Sequence, residues 1–205
     1  MDNLLVEYFV KYINTKRSVY QPCNITITSF RSDVIDSSIF DIEDKKITII
    51  QPTGTGSATY NNPNNKIIAF IDYEDFLNQV PNELIKTINL KKCDFIAYDL
   101  ENSSFFILNE LSKSGKANNK RNDAKLQLSN ALHHLMNIPE IRLFINGFSS
   151  QMCIFSNRIK PMPTPENIAD AFELIKAYLP EPINLNFQPI TKWGFELIET
   201  STVDV

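Results

Sequence analysis

The chain is poor in the residues from which chemistry is most easily read. Its 205 residues include three cysteines, two histidines, five glycines and one tryptophan. Cys23, Cys93 and Cys153 are odd in number and widely spaced. That excludes a disulfide framework and a zinc knuckle, and predicts free or buried thiols in a reducing compartment. No apolar run approaches the roughly 20 residues that a membrane-spanning helix needs. The first residues carry Asp2 and Glu7 without a basic cluster, unlike a signal peptide. Positive charge is not in excess either: 20 Lys+Arg against 24 Asp+Glu leave a net charge of −4. A protein that coats nucleic acid by bulk charge is thereby excluded. Together these absences predict a cytoplasmic, soluble chain with no membrane partner.

What is present is ordinary for a globular protein. The composition is 43% hydrophobic and 21% charged, enough apolar surface to offset the entropy of ordering. No internal repeat or long linker divides the chain, so residues 1–205 read as one domain. Leu5, Phe9, Tyr12 and Ile13 form one stripe of a helix over residues 2–13, with Glu7 on the opposite side. Ile25, Ile27 and Phe30 suggest a strand, and Ile47, Ile49 and Ile50 another. Pro52 to Asn65 reads as a polar loop, and its stretch Gly54 to Tyr60 (GTGSATY) lacks the Lys-Ser/Thr ending of a P-loop. A mobile surface loop is the expectation there.

Lys66 to Asp72, Cys93 to Tyr98, Phe105 to Leu111 and Met152 to Phe155 are strand signals. Ala117 to Asn137 is the strongest helix, striped by Ala124, Leu128, Ala131, Leu132, Leu135 and Met136. Thr164 and Pro165 open a further helix, as N-cap and first helical residue. The tail from Asn184 to Glu199 predicts extra strands, with Gly194 near a turn. The fold class is α/β: a mixed central β-sheet flanked by helices on both faces, with extra N-terminal and C-terminal strands.

The hairpin at 93–111 carries the most information about function. A three-residue turn, Glu101-Asn102-Ser103 with Asn102 as a left-handed residue, pairs positions that sum to 204 and puts Asp94 opposite Glu110. Opposite residues share a face, with Cβ atoms roughly 5 Å apart. A two-residue turn, summing to 205, sends the two acids to opposite faces. Paired carboxylates call for a neutralising partner, and Mg²⁺ takes one or two of them while keeping several waters. A basic run follows. Lys113, Lys116, Lys120, Arg121 and Lys125, against Asp123 alone, give the stretch from Leu111 to Lys125 a charge of +4 and leave −8 on the rest. Arg121 falls on the side of the helix that carries Ala124 and Leu128, Lys125 flanks that side, and Gln127 lies off it.

The series Cys93-Asp94-Phe95, then Phe105 to Lys113 (FFILNELSK), then a long helix resembles the PD-(D/E)XK, or restriction-endonuclease-like, nuclease superfamily. The resemblance covers roughly residues 66–156. It implies a restriction-endonuclease-like core that hydrolyses phosphodiester bonds of DNA or, less expectedly, RNA. Asp94 and Glu110 would be the ligands of Mg²⁺ or Mn²⁺. Lys113, Arg121 and Lys125 would be candidates for the cation that stabilises the transition state, and Ser112, Lys116, Lys120 and Gln127 for nucleic-acid contacts. A homodimer is implied by the same resemblance. The pattern departs in one place: Ser112 stands where the superfamily has lysine. Either a bulge brings Lys113 round, or Arg121 or Lys125 supplies the charge, or the fold persists as a binding module that no longer cuts. His133 and His134 are expected to be exposed and neutral, and Trp193 and Phe195 to pack in the core.

Overall fold

The computed structural model describes residues 1–16, 24–43, 46–49, 53–112, 117–158 and 182–205. Cys23, Lys113, Lys116 and the helix expected from Thr164 lie outside the described residues. The N-terminal helix is one continuous rod. It starts as α1 (Asp2–Leu4), widens into a π-helical segment (Leu5–Phe9) and continues as α2 (Val10–Thr15). Leu5, Phe9 and Ile13 recur at helical spacing and are fully buried.

Strands β1 (Ser32–Ile35), β2 (Ile39–Glu43), β3 (Lys46–Ile49), β4 (Ala58–Asn61) and β5 (Ile68–Asp72) follow. Then come the short helices α3 (Tyr73–Asn78) and α4 (Asn82–Thr87), and the hairpin β6 (Phe95–Asp99) and β7 (Phe105–Ser112). The long helix α5 (Ala117–Met136), α6 (Pro139–Asn146) and β8 (Ser150–Asn157) follow in turn. The last elements are β9 (Ile183–Asn184), α7 (Gln188–Thr191), β10 (Glu196–Glu199) and β11 (Thr202–Asp204). No helix among the described residues is long and apolar enough to cross a membrane.

The main sheet has seven strands in the order β1-β5-β6-β7-β8-β10-β9. It is mixed: β5, β6 and β7 form an antiparallel meander, and β8 then lies parallel to β7 after the α5 crossover. β10 adds in parallel to β8. Strand alternation sorts the core in two. Ile71, Ile96, Phe106, Leu108, Cys153 and Leu197 point to the helices, where Leu5, Phe9, Leu128 and Leu132 meet them. Phe70, Phe95, Ala97, Phe105, Ile107 and Ile154 point the other way. That second face is covered by a small sheet, β11-β4-β2-β3, which contributes Phe40, Ile42, Tyr60 and Val203.

Helices therefore flank the mixed sheet, but the described ones pack on one face, where the sequence predicts both. A second sheet does the same work on the other side: an apolar sheet face needs an apolar cover of either kind. The loop expected from Pro52 to Asn65 contains β4. The strand expected around Ile25 to Phe30 is an irregular segment. Ile27 is buried there, and Ile25 is held by both atoms of the Asn14 amide, which bonds its N–H at 2.9 Å and its carbonyl at 3.1 Å.

Candidate functional site

The mixed topology gathers polar ends at one edge of the main sheet. β7, β8 and β10 are parallel and β6 is antiparallel to them, so the start of β6 meets the ends of the other three. Glu110 pairs level with Phe155, and Phe155 level with Glu199. Glu110 continues the alternation of Phe106 and Leu108 and so points to the helix side, where it is nearly buried. The pairs Phe95–Asn109, Ile96–Leu108, Ala97–Ile107 and Tyr98–Phe106 all follow the 204 register. The 204 register is the one adopted from Phe95 to Tyr98, and the 205 alternative is not; Asp94 stands one residue before this ladder.

Asp94 is fixed from several sides. Its Oδ2 accepts the Leu111 N–H at 2.6 Å, and its own N–H donates to the Asn109 carbonyl at 3.1 Å. Its carbonyl accepts the N–H groups of Tyr73 and Glu74 at the start of α3, at 2.9 and 3.3 Å. The buried Cys93 thiol lies within reach of both acids: burial first, then the charges of Glu110 and Asp94, push it well above its ordinary value.

The turn that sets the register is longer than expected. The strands end at Asp99 and resume at Phe105. The Asp99 carboxylate accepts the N–H groups of Glu101, Asn102 and Ser104 and the Ser104 hydroxyl. It thereby does the work of a turn hydrogen bond across the longer loop. The left-handed residue is Ser103, with φ 50°, in place of Asn102.

A cavity of about 240 Å³ opens at this edge, lined by Lys91, Glu110, Leu111, Ser112, Lys120, Asp123, Gln127 and Phe155. Of the residues singled out from sequence, Glu110, Ser112, Lys120 and Gln127 meet here. Gln127 enters although its angular position on the helix puts it off the core stripe; its Nε2 donates to the Lys92 carbonyl at 3.0 Å, which ties it to the segment ahead of β6. Arg121 is turned to Glu199, at 2.5 Å, and not to the Asp94–Glu110 pair. Lys125 sits over the Phe187 ring, 5.8 Å from its centroid. Lys113 and Lys116 fall outside the described residues. The β7–β8 pairing runs without a shift through Ser112 and Asn157, so no bulge precedes Lys113 in the described part of the strand.

Sequence reasoning passed over Lys91, Asp123 and Phe155. The signal for Lys91 is the pair Lys91-Lys92 just ahead of Cys93-Asp94.

Two other candidates have structural roles. The backbone N–H groups of Thr55 and Gly56 bind the Asp41 carboxylate, each at 2.7 Å, so the glycine-rich loop is a nest already filled by the protein's own anion. The Thr59 hydroxyl donates to the same carboxylate at 2.6 Å, and Arg158 comes within 3.8 Å. Burial alone would raise the Asp41 carboxyl, but its donors, Gly56 first, hold it below the usual carboxylate range. His134 is buried, which corrects the exposed reading. Its Nδ1 lies 3.1 Å from the Tyr12 hydroxyl, and burial, helped by His133, lowers its pKa to about 4. Phe195 is buried as expected.

Comparison with family models, with curated proteins and with solved structures finds no match to this chain, and the site has to be read from its own geometry.

Proposed function

We propose that this chain is a metal-dependent nuclease that hydrolyses phosphodiester bonds of nucleic acid, with DNA the first substrate to test. The observation that carries the reading is the juxtaposition of Asp94 and Glu110. Asp94 precedes β6 and bonds the Leu111 N–H, the residue after Glu110 on β7, and Glu110 lines a small cavity that also takes Lys120, Ser112 and Gln127. The order of elements supports a restriction-endonuclease-like core. An N-terminal helix precedes the β5-β6-β7 meander, α5 crosses over, and β8 returns parallel to β7.

The donor set fits a hard cation. The nearly buried Glu110 carboxylate lines a cavity with room for waters, and Asp94 precedes the neighbouring strand; oxygen donors of this kind suit Mg²⁺ or Mn²⁺ better than a soft metal. When bound, such an ion supplies an acidified water and offsets charge on the phosphate. The chain's own residues do the rest. Leu111 N–H orients the Asp94 carboxylate, Lys120 draws the phosphate backbone to the cavity, and Ser112 and Gln127 line the space it would enter. A homodimer, which would bring two such sites to the two strands of a duplex, belongs to the same reading.

The test is cleavage of labelled DNA duplex, single-stranded DNA and RNA by the full chain, with Mg²⁺ or with chelator. Cleavage is expected only with the metal, and Asp94→Ala and Glu110→Ala are each expected to lower it at least about 100-fold. Retained cleavage by either variant would overturn the assignment. A second reading, a nuclease-fold module that binds without cutting, draws on Ser112 at the position of the superfamily's lysine. Salt-dependent binding that ignores both Mg²⁺ and the Asp94 substitution would favour it.

A further inference from the structure

The nuclease reading leaves a cation to be found, and the described basic residues near the site differ in whether they are free. Arg121 is taken by Glu199. Arg158 bonds the Gly56 carbonyl, the Thr59 hydroxyl and the Ser201 carbonyl. Lys125 lies over Phe187, and the Lys92 ammonium is bonded to the Asn78 amide oxygen. Lys91 and Lys120 are different. Both are exposed, line the cavity that holds Glu110, and have no hydrogen-bond or ion-pair partner for their ammonium groups among the described residues. Lys120 rises from the first turns of α5, whereas Lys91 stands in the segment that runs directly into Asp94.

The backbone that carries Lys91 is held firmly. Leu90 and Cys93 on either side are buried in the helix-side core. Between them, α5 grips the segment with two side chains. Asn130 Oδ1 accepts the Lys91 N–H at 2.6 Å, and Asn130 Nδ2 donates to the Asn89 carbonyl at 2.8 Å. Gln127 Nε2 donates to the Lys92 carbonyl at 3.0 Å. Asn89 is itself in the left-handed region, with φ 51°, and turns the chain out of α4 toward the site. Three hydrogen bonds between α5 and the residues Asn89, Lys91 and Lys92 fix where the Lys91 side chain starts. They also link that position to the helix that carries Lys120 on the cavity wall.

We propose that Lys91 is the residue that contacts the reacting phosphate in the Glu110 cavity, in place of the lysine absent at Ser112, and that Gln127 and Asn130 are its positioning residues. The proposal rests on the nuclease reading above. A flexible ammonium acts as a point charge and does not need the strand position that the superfamily uses; it needs only an anchored start within reach. The position ahead of Asp94 provides that start, at the same sheet edge as the acids.

The experiment uses the full chain with Lys91→Gln, Lys91→Arg, Asn130→Ala and Glu110→Ala. Two quantities are read: Mg²⁺-dependent cleavage of a labelled duplex, and binding of that duplex in Ca²⁺ across a salt series. Thermal unfolding checks that each variant folds. Lys91→Gln is expected to cut about 100-fold more slowly and to lower the slope of log K against log salt by about one. Lys91→Arg should recover part of both. Asn130→Ala should fall between wild type and Lys91→Gln in cleavage while leaving the salt slope unchanged, as befits a positioning residue. Cleavage by Lys91→Gln within about twofold of wild type and with an unchanged slope, while Glu110→Ala is inactive, would overturn the role of Lys91 and leave the nuclease reading standing. A wild-type chain that neither binds nor cuts would overturn both.

Discussion

Arg121, near the start of α5, places its Nε 2.5 Å from Glu199 Oε2 on β10, across 78 residues of sequence. Glu199 lies level with Phe155, which lies level with Glu110, so this ion pair closes one end of the row whose other end is the candidate site. The guanidinium pins the helix to the strand ends and neutralises a mostly buried acid, which leaves the rest of the row, Phe155 and Glu110, to the cavity.

Arg121→Ala should therefore act on stability first. It leaves the Glu199 side chain, 10% exposed, without its cation, while the arginine itself is 30% exposed and partly screened. The expected loss is about 1–2 kcal/mol, read from urea unfolding. Glu199→Gln, which removes the buried charge, should cost less. An Arg121→Ala variant as stable as wild type would show that the pair does not hold α5 in place.

Divalent cations should stabilise the wild-type chain and do less for Glu110→Gln. A ligand that binds only the folded state raises stability with its concentration. Millimolar Mg²⁺ or Mn²⁺ is expected to raise the Tm of wild type in a thermal scan, with most of that rise absent in Glu110→Gln. Equal rises in both would place the cation elsewhere.

The Asp41 nest predicts an acid limb to the stability curve. Its folded-state carboxyl lies below the ordinary value, so its contribution is fully present above the unfolded value near pH 4 and is lost as pH falls through the folded one. Asp41→Asn should flatten that limb and cost about 1–3 kcal/mol at neutral pH. Gly56→Ala should be comparably damaging. A Cβ there would lie 2.6 Å from the Ile42 carbonyl oxygen and 2.7 Å from Asp41 Cβ, too close for either to stay in place. Denaturant midpoints from pH 2 to 7 read both effects.

His134 predicts a second pH window. Its folded-state pKa is lowered to about 4 from an ordinary 6.5. The unfolded chain thus takes up a proton first, and stability falls as pH drops from about 6.5 toward 4. The loss is up to about 3 kcal/mol. His134→Gln should remove most of that slope, and a slope unchanged by the substitution would assign it to other groups.

Part of the candidate site was legible because its signals are local. Period-two alternation in Phe105 to Leu111 and the apolar stripe from Ala124 to Met136 do not depend on what they pack against. The register of the hairpin follows from counting back from the turn, and the 204 sum holds from Phe95 to Tyr98 although the turn is longer and uses Ser103 where Asn102 was expected. β4 escaped notice because its alternation rests on only two core residues, Ala58 and Tyr60, inside a stretch rich in Gly, Ser, Thr and Asn. Their strand exists through pairing with β2 and with β11, which joins Thr59 to Thr202. His134 seemed exposed because Tyr12, which covers it, belongs to a helix far away in sequence.

The scarcity of cysteine, histidine and glycine, together with the acidic balance, determined by itself what this chain cannot be, and the alternation of its strands determined the register of the central hairpin. Composition and periodicity are properties of short stretches, and they survive without knowledge of the fold. Which cations stand free at the Glu110 cavity was decided only in three dimensions. Arg121, Lys125 and Lys91 are alike as sequence, and the partners that claim the first two, Glu199 and Phe187, come from distant parts of the chain. A charge is available for function only when nothing nearby has already neutralised or covered it, and that is a property of the packed molecule.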